Sequence, residues 1–242
     1  MNSLIFEQTV TMSFLERAQE EEIMDDLSIN DDGLRQTLAE LDVINKWLGG
    51  NNPTLRGVRK LLHGRNKNDE IVIVDMGCGS GEMLRLIDES FRGEFERLKL
   101  VGIDANPHVI AYAKSKSLGH DIEFSVKNVF EKNSMNCDII ISTLFLHHFN
   151  SIELESLIKK WQSGATFGVV INDIHRHWFA YYSIAFLTHF FSKSYMTKYD
   201  AKLSVKRAFK KKELSVFYEG MGWRSVQVSW CWAFRWLVIL RN

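Results

Sequence analysis

The sequence predicts a doubly wound α/β sheet, mostly parallel, that ends in an antiparallel hairpin. N-terminal helices and a helical lid insertion accompany it. Three observations carry this reading. Ile71-Val72-Ile73-Val74 is a wholly apolar, β-branched run, the pattern of a strand buried on both faces. Asp75-x-Gly77-x-Gly79-x-Gly81 follows it directly. From residue 70 onward, short apolar runs alternate with helical stretches, as successive βαβ units do.

Residues 1–65 read as helices, an N-terminal cap preceding a main domain at 66–242 that carries a lid insertion at 177–209. Ser13-Phe14-Leu15-Glu16 fits a capping box. Leu34, Leu38, Leu41, Ile44 and Leu48 recur at helical spacing and make one apolar face, which Gly49-Gly50 ends. Asn52-Pro53 then reads as an N-cap followed by proline in the first turn. Further strands are expected at 100–104, 122–126, 137–143 and 167–173, with helices at about 81–91, 107–117 and 151–162. Asn106-Pro107 and Asn150-x-x-Glu153 start the last two helices. The runs 223–230 and 233–240 make the final hairpin.

Composition narrows the class. The 242 residues suffice for one large α/β domain. Lys+Arg and Asp+Glu both number 30, without the basic excess expected of a protein that grips nucleic acid. The basic run Lys210-Lys211-Lys212, after Lys206-Arg207, reads as a solvated helix start. Cys78, Cys137 and Cys231 lack pair spacing, so no disulfide frame and no metal centre is expected, and each reads as a small buried residue. Acids come early (Glu7, Glu16, Glu20 to Glu22), unlike a signal peptide, and no apolar stretch reaches membrane-spanning length. A reducing cytoplasm fits these features.

The glycine loop points to a ligand. Its glycines let the backbone turn sharply and approach a bound group, and its N–H groups are expected to be free for a carboxylate or phosphate. Glu82 disfavours a diphosphate, and Met83-Leu84 stand where the dinucleotide fingerprint needs its third glycine. A zwitterion is easier to place. The next strand ends in Val101-Gly102-Ile103-Asp104, and ligands of open α/β sheets sit beyond strand carboxyl ends. An acid there can accept both hydroxyls of a ribose.

On these residues, 70–175 resembles the class I methyltransferases that use S-adenosylmethionine (SAM), whose fold is Rossmann-like. The likeness is greatest to those acting on small molecules, including the ubiquinone and menaquinone biosynthesis type. The resemblance implies that Gly77, Cys78, Gly79 and Gly81 wrap the methionine and ribose. It implies that Asp75 orients the methionine amino group, and that Asp104 with Ala105 holds the ribose. Lys127-Asn128-Val129-Phe130 matches the adenine segment, with Asn128 where most members have an acid. Thr143, in Ser142-Thr143-Leu144, matches the segment facing the methionine. The flanks Phe14-Leu15-Glu16-Arg17-Ala18, Glu40 to Gly50, Ile171 to Arg176 and Leu203 to Phe209 resemble bacterial methyltransferases that accompany polyketide-type lipid or pigment synthesis.

The acceptor chemistry follows from the donor. Displacement at a sulfonium methyl needs an aligned nucleophile and exclusion of water, and a phenol or enol also benefits from a base. Histidine suits that task. His147 and His148 follow the fourth strand, and His175 and His177 the fifth. His148, His175 and His147 are therefore the catalytic candidates, each with a structural alternative in backbone bonding or helix capping. Asn172 and Asp173 either orient a histidine or satisfy a turn. Arg176 meets an anionic substrate group or a surface acid. The acceptor expected is a hydrophobic small molecule methylated on oxygen, or less favourably on carbon. A SAM-binding subunit without catalysis and a macromolecular methyltransferase are the competing readings. Monomer and homodimer are both compatible with the sequence.

Residues 178–191 form an aromatic-rich run without a clean polar face. Such a helix must be buried or meet a ligand. It is expected to be a lid over the acceptor, hinged at Ser192-Lys193-Ser194 and Lys198-Tyr199-Asp200. An extra core helix and a membrane-surface helix are the alternatives.

Overall fold

The computed structural model describes residues 14–29, 32–131 and 136–242. Ser13, on which the capping box depends, lies outside them. Residues 14–22 form no helix, contrary to expectation, and only a 3-10 turn at Ile23–Asp25 follows. Arg176 explains the extended course: buried, it donates to the carbonyls of Phe14 and Leu15.

Helix α1 spans Asp32–Trp47 and α2 spans Asn52–Leu62. Gly49, at φ +65°, ends the first. The cap of α2 is Asn51, one residue earlier than expected, with Pro53 in the first turn. Strand β1 (Glu70–Met76), α3 (Glu82–Phe91), β2 (Arg97–Asp104), α4 (Pro107–Lys116), β3 (Ile122–Val126) and β4 (Cys137–Thr143) then alternate as expected. Asn106 caps α4 by accepting from the amides of His108 and Val109. Helix α5 (Ser151–Gly164) starts with the Asn150/Glu153 capping box, and β5 covers Ala165–Ile174.

Helix α6 (Trp178–Phe191) occupies the expected lid run. A second helix, α7 (Tyr195–Arg207), was not anticipated and packs against it. The helix expected from Lys210 is a 3-10 turn at Lys211–Phe217. Strands β6 (Ser225–Cys231) and β7 (Arg235–Arg241) form the antiparallel hairpin.

The sheet order is β3-β2-β1-β4-β5-β7-β6. The first five strands are parallel, and β7 runs antiparallel to β5. Apolar side chains alternate across both faces. One core joins Val58, Leu61, Leu84, Ile87 and Ile110 to Ile71, Ile73 and Ile139. The other joins Leu154, Ile158, Trp161, Leu214 and Phe217 to Val74, Met76 and Ile140. The three cysteines are free and buried. Among the described residues, no helix is long and apolar enough to cross a membrane.

Candidate active site

A cavity of about 1220 Å³ lies over the carboxyl ends of β1, β2, β4 and β5. Its wall includes Asp75, Cys78, Asp104, Thr143 and Ile174 from the sheet side. The 17–27 segment, α1, α6, α7 and the hairpin tip at 232–235 close the other sides.

The glycine loop is tied down from within. The amides of Gly77 and Cys78 donate to the carbonyl of Ile103, at 2.9 and 3.0 Å. Gly79 N–H reaches Asp104 Oδ2 at 3.2 Å, and Gly81 N–H reaches the Cys78 carbonyl at 2.9 Å. The expectation of free loop amides is therefore corrected for these four: the adjacent β2 strand and the loop itself use them. Gly77, at φ +70°, has no room for a Cβ, which would meet the Phe145 ring at 2.2 Å. Gly79 opens onto free space. Gly81 does not line the cavity. It caps α3 at φ +76° with the Phe124 ring behind it. Gly77, Cys78, Gly79, Ala105, Asn128, Val129 and Thr143 line the cavity with Asp75 and Asp104. The Cys78 thiol faces Gly102 behind the loop.

Two acids face the cavity at adjacent strand ends. Burial, and then the nearby Asp104, pushes the Asp75 carboxyl up to about 8. Its Oδ1 is buried and has no hydrogen-bond partner among the described residues. Burial also raises the Asp104 carboxyl, against hydrogen bonds from the amides of Asn106 and Gly79. An unpartnered buried carboxylate oxygen beside an open glycine is a seat for a cationic donor. That fits the ammonium of an amino-acid ligand. Asn128 bends the expected adenine segment, its Oδ1 accepting from the Phe130 amide at 3.0 Å.

The histidines divide into distinct environments. His147 is buried between two acids. Its Nδ1 is 2.7 Å from Asp173 Oδ1, and its Nε2 is 3.5 Å from Glu22 Oε1. Burial alone would depress the imidazole, but Asp173 and Glu22 raise it to about 9. His148 Nδ1 lies 2.6 Å from Asp25 Oδ1, and His148 lines the cavity. Burial would raise the Asp25 carboxyl, yet His148, the Glu22 amide and Arg207 hold it well below the usual range. Glu22, His147 and His148 bring potential ligand atoms within 4.8 Å of one another, a grouping invisible in the sequence.

His175 stands apart from the other two catalytic candidates. It does not line the cavity. Its ring packs edge-on to Trp236, and its Nδ1 lies 3.3 Å from Trp230 Nε1. Burial and the neighbouring His177 lower it to about 4. Asp173 holds His147 and also accepts from the His147 and Ile174 amides, so both of its expected roles coexist. Asn172 instead donates to the Gly50 carbonyl and to Thr54, fixing the start of α2. Arg176 is itself buried, and the acid it pairs with at 2.6 Å, Glu213, is one-third exposed.

The lid hinges are corrected as well. Ser192, Ser194 and Asp200 are buried. Glu40 of α1 accepts from Ser192 Oγ and from the amides of Lys193 and Ser194. Asp200 accepts from the amides of Ile23 and Met24. Arg207, expected in a solvated run, is buried and donates to the His147 and His148 carbonyls and to Asp25. Phe179, Tyr182 and Phe186 line the cavity while staying more than half exposed, so α6 forms its rim. Sequence reasoning missed Glu22, Asp25, Asn45 and Arg235 at this site. The two acids sit in an acidic run, Glu20 to Asp26, that carries no motif pointing to a histidine partner.

Residues 73–165 match the family described as a methyltransferase domain. No curated protein matches the chain by sequence. Solved structures share the fold. The plantazolicin methyltransferase BpumL, in complex with a triazolic desmethylPZN analog and SAH, is 14% identical with a TM-score of 0.63. That match covers 87% of this chain and 92% of that one. A SAM dependent methyltransferase from Aquifex aeolicus is 16% identical, with a TM-score of 0.61 and 87% and 98% coverage. Magnesium protoporphyrin IX methyltransferase (ChlM) from Synechocystis PCC 6803, with bound SAM, is 16% identical with a TM-score of 0.52 and 80% coverage of each chain.

Proposed function

We propose that this chain is a class I SAM-dependent methyltransferase that methylates an oxygen of a hydrophobic small molecule, a reading supported by the domain match at residues 73–165 and by the shared fold. The observation that carries the acceptor reading is the His148–Asp25 pair on the wall of an aromatic-rimmed cavity.

Bound SAM supplies an electrophilic methyl on a sulfonium, open to in-line displacement. Asp75 holds its ammonium through the carboxylate oxygen that otherwise lacks a partner. Asp104 receives the ribose hydroxyls, its position fixed by the Gly79 and Asn106 amides. Asn128 and Val129 bound the adenine. Asp25 Oδ1 stands 2.6 Å from His148 Nδ1, and the imidazole is the group that accepts the proton of a hydroxyl. His147 carries its proton between Asp173 and Glu22 at neutral pH, so it orients the turn rather than acting as the base. The aromatic rim of α6 excludes water from the reacting oxygen. The 17–27 segment, α1, α6 and α7 together cap the cofactor, while α2 packs on the sheet.

The test is mass spectrometry with isotopically labelled SAM and a panel of alkylresorcinols, pyrones and quinols. A labelled O-methyl product from at least one of them supports this reading. SAM binding without any product would favour a SAM-binding subunit that does no chemistry.

A further inference from the structure

Arg235 is a buried cation at the acceptor end of the cavity. It opens β7, lines the cavity, and is only 6% exposed. One arm of the guanidinium, Nη2, donates to Asn45 Oδ1 at 3.0 Å and packs on Gly50, where a Cβ would stand 2.9 Å away. The other arm, Nη1, is buried without a hydrogen-bond partner among the described residues. Burial lowers the side chain to about 10, so it stays charged at neutral pH. Asp173 is the acid acting on it, but that carboxylate is already engaged by His147 at 2.7 Å. A guanidinium cannot escape burial by becoming neutral, and an uncompensated one is costly unless a ligand completes it.

Position identifies the ligand. Strand β7 stands three places from β1 in the order β1-β4-β5-β7, about 14 Å at the ordinary strand spacing. The cofactor acids Asp75 and Asp104 are on β1 and β2. Arg235 is therefore on the side away from the ribose seat. Its neighbours in the chain, Trp232 and Phe234, line the same cavity, as do Phe179, Tyr182 and Phe186. We propose that Arg235 is the anion anchor of the acceptor site, and that the acceptor is an aromatic molecule bearing a carboxylate or a similar anionic oxygen. Nη1 donates to that oxygen while Asn45 keeps the guanidinium plane fixed. This inference rests on the small-molecule reading above and narrows its substrate class.

Calorimetry on the SAH-loaded protein tests it without requiring turnover, so failure to find a methylated product leaves this result standing on its own. The probes are 3-hydroxy-2-naphthoate and its uncharged carboxamide. The acid should bind at least about tenfold more tightly than the amide, the scale of one charge-assisted hydrogen bond. Arg235→Met should erase that preference and Arg235→Lys should keep part of it, with SAM affinity held within about twofold of wild type in both. Apo Arg235→Met should unfold at a temperature no lower than wild type, since the variant removes an unpaired buried charge. Equal binding of acid and amide to the wild type overturns the proposal. So does a loss of SAM affinity in Arg235→Met, which would assign the guanidinium to the carboxylate of the cofactor.

Discussion

His148 Nδ1 and Asp25 Oδ1 lie 2.6 Å apart, and the two residues come from segments that nothing in the sequence links. Arg207 clamps the other Asp25 oxygen at 2.8 Å and the His148 carbonyl at 2.6 Å. One guanidinium thus holds both the acid and the backbone that carries the ring. His148→Gln should lower turnover by about 10²-fold with SAM affinity nearly intact. Asp25→Asn should lower it less and displace the pH–rate profile. Wild-type rates from His148→Gln across the pH range would mean that positioning alone carries the reaction.

With Asp75 on the ammonium, cofactor binding should depend on pH. In the free protein burial and Asp104 hold its carboxyl at about 8, so at pH 6.5 it carries a proton. An ammonium bound at Oδ1 favours the ionised form, so binding releases that proton. Affinity should therefore rise with pH, by up to about tenfold per unit, and level off near pH 8. Titrations in buffers of different ionisation heat should show about one proton released at pH 6.5. Asp75→Asn should bind weakly and without the slope. A flat profile in the wild type would remove Asp75 from the ammonium.

The His147–Asp173 pair should show in stability. His147 is raised to about 9 in the fold, so its contribution is complete below its unfolded value near 6.5. It is lost as pH climbs through 9. Asp173, lowered after its burial cost is offset by His147, contributes above its unfolded value near 3.9 and loses that contribution as pH falls below it. Asp173→Asn should cost roughly 3–5 kcal/mol between pH 4 and 6.5, the scale for stranding a buried partner. The difference from wild type should shrink above pH 9. Denaturant titrations at pH 6 and pH 9.5 read both values, and an unchanged difference would mean the ion pair is not the source.

Protease should spare the 192–202 segment, because Glu40 and the amides of Ile23 and Met24 tie it down. Glu40→Ala should make it cleavable. Early cutting there in the wild type would restore the hinge.

The lid itself is tested by Phe186→Asp. Phe186 is 61% exposed yet lines the cavity. The variant should raise acceptor KM or abolish turnover while SAM binding persists. Unchanged acceptor kinetics would leave α6 as packing only.

Local pattern determined most of the scaffold. The apolar run at 71–74, the glycine loop and the caps Asn106 and Asn150 act within a few residues of themselves. Strand, turn and helix starts could therefore be read directly, and with them the residues that line the sheet side of the cavity. The aromatic run at 178–191 likewise announced a helix. What local pattern could not decide was pairing across the chain. Nothing in the sequence singles out Glu22 or Asp25, and they stand beside His147 and His148 where Arg176 and Arg207 draw the N-terminal segment across the fold. His175 read as a candidate base, but the hairpin brings Trp230 and Trp236 against it. The loop amides read as free, but β2 takes those of Gly77, Cys78 and Gly79. Charge and burial at a site depend on which distant groups arrive beside it, and that is set by packing rather than by periodicity.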